Sequence, residues 1–114
     1  MTRVVYDRAG LRLEMEGHAG AGEKGADPVC AALSMLMMTL ERRMQERCEQ
    51  TLPVIRREPG RFAIACRPGR EEESRCRESF DTVFAGLALL AENRPEYVSV
   101  RLEGGETEEE ELYE

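Results

Sequence analysis

Apolar and polar residues alternate at the start of the chain. Arg3 to Asp7 reads as a β-strand, and Asp7-Arg8-Ala9-Gly10 as a turn. Leu11, Leu13 and Met15 then alternate with Arg12, Glu14 and Glu16, which predicts a second strand with one wet face and a hairpin with the first. A Gly-rich loop, Gly17 to Ala26, separates this hairpin from Asp27-Pro28, a helix start with Asp as N-cap and Pro at the first helical position. Val29, Leu33, Leu36, Met37, Leu40 and Met44 follow at helical spacing, so one face of that helix is apolar. Leu52 to Arg57 predicts a strand and Glu58-Pro59-Gly60-Arg61 a turn, with Phe62, Ile64 and Cys66 alternating on the return. A second helical stripe runs through Cys76, Phe80, Val83, Phe84, Leu87 and Leu90, and Asn93-Arg94-Pro95 ends it. Tyr97 to Leu102 predicts a last strand with Val98, Val100 and Leu102 on one face. The order ββαββαβ predicts an α+β fold: a two-layer sandwich in which a mixed sheet is covered by two helices.

At 114 residues the chain has the size of one domain, which excludes a large multidomain enzyme. The net charge of −7 is unevenly placed. Residues 103–114 hold seven Glu and no basic residue, and without them the body has 16 residues of each sign. Residues 1–102 are therefore expected to form the α+β domain, and residues 103–114 a disordered acidic tail. A neutral body gives no electrostatic case for direct nucleic-acid binding. Basic charge is carried by fifteen Arg and one Lys, Lys24, a bias that no feature of the sequence explains.

Met1 to Asp7 has no apolar core of signal-peptide length, and Val29 to Leu40 is broken by Ser34 and Thr39 and is too short to span a bilayer. The expectation is a cytoplasmic protein with no membrane association. The four Cys, at 30, 48, 66 and 76, form no C-x-x-C pair and are expected as free thiols.

Two motifs in the first loop compete. Gly20-Ala21-Gly22-Glu23-Lys24-Gly25 spells G-x-G-x-x-G between a strand and a helix, the dinucleotide fingerprint. The preceding strand alternates, whereas a central parallel strand is apolar on both faces. The helix starts only after the third Gly, and Asp27 would set a carboxylate where a pyrophosphate should sit. The motif is therefore read as a loop, with no cofactor. The second constellation is the single histidine, His18, at the end of the second strand, with Cys30 at the third position of the helix. A helix N-terminus favours the thiolate of a thiol placed there, a neighbouring imidazole can shuttle its proton, and first-turn N–H groups can hold an oxyanion.

Cys on a helix is also a common core residue, so this spacing leaves a structural thiol open. Asp27 reads as a helix cap and as an orienting partner for His18, two roles that coexist only if its two oxygens divide the work. Ser34, one turn after Cys30, is either a small packing residue or a hydroxyl facing the site. A metal site is not expected. Cys30 and Cys48 would be about 27 Å apart on one helix, and His18, Cys30, Cys66 and Cys76 match no zinc-ligand spacing.

Gly17-His18-Ala19-Gly20, followed by Asp27-Pro28-Val29-Cys30-Ala31-Ala32-Leu33-Ser34, resembles the signature of the ribosomal-processing cysteine protease family, Prp, and Asn93 to Val98 resembles that family's closing helix-to-strand segment. The resemblance covers residues 3–102. It implies a cysteine endopeptidase that removes a short N-terminal extension from a large-subunit ribosomal protein. It places the catalytic histidine on His18 and the nucleophile on Cys30, and it matches Asp27 and Ser34 to the family's Asp and Ser. It makes the loop with Gly17, Gly20, Gly22 and Gly25 a mobile segment over the cleft, and it implies a homodimer. Pro28 departs from the aliphatic residue more usual there, and the acidic tail lies outside the pattern. The rival reading is a non-catalytic ribosome-associated binding module with a structural thiol. A thiol redox sensor is a third, and it would need a resolving Cys beside Cys30.

Overall fold

Five strands and two helices follow one another in the predicted order in a computed structural model that describes residues 1–23, 25–47 and 53–104. Lys24, Cys48, Leu52 and residues 105–114 of the acidic segment lie outside the described residues. Strand β1 is Thr2–Asp7 and β2 is Arg12–Glu16. Helix α1 is Pro28–Arg47, β3 is Val54–Glu58 and β4 is Arg61–Ala65. Helix α2 is Glu73–Asn93 and β5 is Val98–Glu103.

The strands form one sheet in the order β3-β4-β2-β1-β5. All neighbours are antiparallel except β1 and β5, so the sheet is mixed, as expected. Alternation assigns the faces. One cross-strand row runs Val100, Val4, Met15, Phe62, Arg57, and the next runs Leu102, Tyr6, Leu13, Ile64, Ile55. This face meets the apolar stripes of both helices: Val29, Leu33, Met37, Leu40 and Met44 of α1, and Cys76, Phe80, Val83 and Leu87 of α2, are buried with it in one core. Leu36 and Phe84, also on the predicted stripes, are half-buried and pack against that core. The opposite face is charged, with Glu14 between Arg12 and Arg61, and Arg3 paired with Glu16.

Leu11 was expected inside β2. It lies instead in the preceding turn with φ of 49°, and it keeps its backbone in the left-handed region because its side chain is buried. Cys66, expected on the return strand, lies one residue beyond β4 and extends the pairing by donating its N–H to the Leu11 carbonyl. Helix α2 ends at Asn93, where Arg94 N–H returns to Leu90 and Pro95 follows. No helix among the described residues is long and apolar enough to cross a membrane.

Candidate active site

The end of β2 is fixed by two neighbours. Gly17 donates its N–H to the Gly60 carbonyl at 2.8 Å and has φ of 94°. A Cβ there would meet the Met1 carbonyl oxygen at 2.5 Å, so only glycine fits. His18 follows, exposed, with its ring against the β3–β4 turn: a Cβ on Gly60 would lie 3.3 Å from His18 Nε2. Gly60 has φ of 75° and follows Pro59, the Pro-Gly order of a type II turn.

The start of α1 is organised by Asp27. Its Oδ1 accepts the N–H groups of Val29 and Cys30, each at 3.0 Å, and its backbone carbonyl accepts that of Ala31 at 3.1 Å. Its Oδ2 accepts the N–H of Ala21 in the Gly-rich loop at 3.0 Å. The Cys30 N–H, then the Cys30 thiol, and after them the N–H groups of Ala21 and Val29, hold the carboxyl of Asp27 below its usual range against partial desolvation.

Two expectations change here. Asp27 makes no hydrogen bond to His18 among the described residues, so it caps the helix and ties the loop rather than orienting the imidazole. The first-turn N–H groups are also not spare: Pro28 has none, and those of Val29, Cys30 and Ala31 all go to Asp27. An oxyanion needs other donors.

The remaining residues meet at one cleft of about 310 Å³ between the N-terminal part of α1 and the β2, β3 and β4 ends. Gly17, His18, Cys30 and Ser34 line it, with Met15 and Phe62 from the sheet face. Cys30 is half-buried against the core, yet it opens into this cleft with the ring of His18. Ser34 Oγ makes no hydrogen bond among the described residues. Gly20, Gly22 and Gly25 belong to the loop beside the helix start and do not line the cleft. Ala19 is buried and anchors this loop, while Gly20 and Gly25 face open space. The G-x-G-x-x-G reading has no structural context, because β2 is flanked by antiparallel neighbours on both sides.

Three residues of the site carry no local sequence signal for their place in it: Gly60 under the imidazole, and Phe62 and Arg57 on the cleft wall. The Pro-Gly turn was visible, but its contact with His18 depends on the β2–β4 register, which no local pattern encodes.

A thiol at a helix start sharing an open cleft with an imidazole is the equipment of a cysteine-type peptidase, and that is the class of this protein. The chain belongs to the cysteine protease Prp family, whose model matches residues 1–99. Among solved structures it is similar to SMU.848 from Streptococcus mutans, with 27% identity, a TM-score of 0.67, and coverage of 90% of this chain and 91% of that one. It is also similar to two structures of an essential ribosomal processing protease Prp from S. aureus. One holds a covalently linked product peptide (21% identity, TM-score 0.72, 90% of this chain and 97% of that one). The other holds a substrate peptide (20% identity, TM-score 0.71, 90% of this chain and 100% of that one). At that identity these two show the shared fold. No protein with a curated description matches this chain.

Proposed function

We propose that this protein is a ribosomal-processing endopeptidase that removes a short N-terminal extension from a large-subunit ribosomal protein in the cytoplasm, acting as a homodimer. The observation that carries the reading is the cleft that Cys30, His18 and Ser34 line together in a chain of the Prp family. His18 takes the proton from the Cys30 thiol, and the sulfur attacks the scissile carbonyl carbon. The C–N bond breaks as the same proton passes to the departing amine, leaving a thioester on Cys30. Water then attacks the thioester with His18 as base, which releases the carboxylate product and restores the thiol. With the first-turn N–H groups committed to Asp27, the uncommitted hydroxyl of Ser34 is the donor offered to the developing oxyanion. Asp27 fixes the helix start under Cys30 and the loop through Ala21, and its carboxylate also faces the Cys30 thiol.

The test is incubation of the extended ribosomal protein of the same organism with wild type and with Cys30→Ala. Wild type shortens the substrate and the variant does not. Retention of cleavage by Cys30→Ala, or binding without cleavage by wild type, contradicts the reading, and the second outcome favours a binding module.

A further inference from the structure

Arg57 is the cation on the β3 wall of the cleft, and it is held on two sides. Its Nη2 donates to both carboxylate oxygens of Glu41 on α1, and its guanidinium carbon lies 4.9 Å from the centre of the Phe62 ring. Its Nε and Nη1 make no hydrogen bond among the described residues, and the side chain is half exposed. A guanidinium fixed in this way keeps planar donors at a defined place with little left to order on binding.

The surrounding charges select the acceptor. Glu41 already neutralises Arg57, Glu58 also lines the cleft, and Arg61, the other arginine there, is paired with Glu14. A carboxylate entering beside Arg57 would face Glu41 and Glu58, whereas a neutral carbonyl oxygen meets only unused donors. Position matters too. Glu41 lies eleven residues after Cys30 on α1, about 16 Å along the axis. The Glu41 side chain tilts back toward the helix start, so the Arg57 anchor lies nearer the sulfur than that backbone spacing, and an extended peptide at about 3.3 Å per residue reaches it several residues at most from the bond being cut.

We propose that Arg57 is a substrate-binding residue that donates hydrogen bonds to a main-chain carbonyl of the peptide, within several residues of the scissile bond, and so sets the substrate's course along the cleft. The inference rests on the endopeptidase reading.

The test is steady-state kinetics on a peptide spanning the extension and cleavage site, with wild type, Arg57→Lys and Glu41→Gln. Losing a charge-assisted hydrogen bond raises KM about tenfold for Arg57→Lys, with kcat within about twofold. Glu41→Gln, which loosens the clamp but keeps the cation, gives a smaller rise in KM. Peptides shortened residue by residue from each end locate the contact: beyond one truncation, wild type and Arg57→Lys become equal. Replacing acidic residues of the peptide by Ala leaves the wild-type to variant ratio unchanged. An unchanged KM with only a lower Tm, a fall in kcat alone, or an effect that disappears with one acidic peptide side chain overturns the proposal. If wild type cleaves and both variants match it, this inference alone falls. If wild type cleaves nothing, the endopeptidase reading falls first and takes this one with it.

Discussion

Asp27 divides its two carboxylate oxygens between the start of α1 and the Gly-rich loop. Asp27→Asn keeps one acceptor oxygen for the cap and turns the other position into a donor, which cannot accept from Ala21. Hydrogen exchange followed by mass spectrometry is expected to show faster exchange over residues 19–23 with α1 protection retained. Equal loss in both segments would show that the oxygens do not act separately. Asp27 is held below its ordinary value of 3.8. Partial burial pushes Glu14 up, but Arg12 and Arg61 outweigh it and hold it below 4.5. A depressed carboxyl contributes stability above its unfolded-state value and loses it as pH falls through the lower folded-state value. The urea midpoint is therefore expected to be flat near neutrality and to decline below about pH 4, less so in Asp27→Asn. Gly60 is the other residue with two duties, turn and support for the imidazole. Gly60→Ala strains the backbone by about 1–2 kcal/mol and places a methyl 3.3 Å from His18 Nε2. Gly20→Ala strains a similar φ in open space. Cleavage is expected to fall further in Gly60→Ala than in Gly20→Ala, and equal losses would sever the link between turn and histidine. The capping half of Asp27 was legible because Asp before Pro at a helix start has a local cause. The loop half was not, since it depends on how the glycine segment folds back.

Among the elements, α2 is tied to β1 by polar contacts as well as by packing. Tyr6, buried beside Phe80 and Phe84, donates to Asp81 at 2.7 Å, and Arg8 holds the same carboxylate through Nε and Nη2. Burial, reinforced by Asp81, keeps the Tyr6 phenol protonated far above its ordinary value. Tyr6→Phe is expected to lower unfolding free energy by about 1.5–3 kcal/mol, the value of a hydrogen bond to a charged group. Urea denaturation measures it, and no loss would make the contact incidental. The thiols also differ by element. Cys66 after β4 and Cys76 in α2 are 3% and 0% exposed, whereas Cys30 opens into the cleft. Iodoacetamide near neutral pH is expected to label Cys30 well before either, and equal or slower labelling would argue for a structural thiol. Both helices were readable because each buries a single stripe against one sheet face, which imposes the 3.6-residue period on its apolar residues. The strand order was not readable. Met15, Phe62 and Arg57 share a row only through two antiparallel registers, so the cleft wall stayed hidden while its sulfur and imidazole were visible.

For the molecule as a whole, two layers explain the distribution of charge. One sheet face and both helices make the core, and the other face carries paired Arg and Glu. The surplus negative charge belongs to residues 103–114, whose last ten lie outside the described residues. Such a segment would attract Arg- and Lys-rich ribosomal proteins. Deleting residues 104–114 is expected to lower the cleavage rate at low salt and to flatten its salt dependence, and an unchanged rate and slope would remove the idea. Catalysis as proposed passes through a covalent bond to the Cys30 sulfur. Acid quenching during turnover of the extended ribosomal protein, followed by peptide mapping by mass spectrometry, tests it most directly. An acyl adduct with the mass of the N-terminal extension less one water is expected on the peptide containing Cys30, absent in His18→Ala. Steady cleavage with the adduct on another residue, or with no adduct under conditions that preserve thioesters, would contradict it.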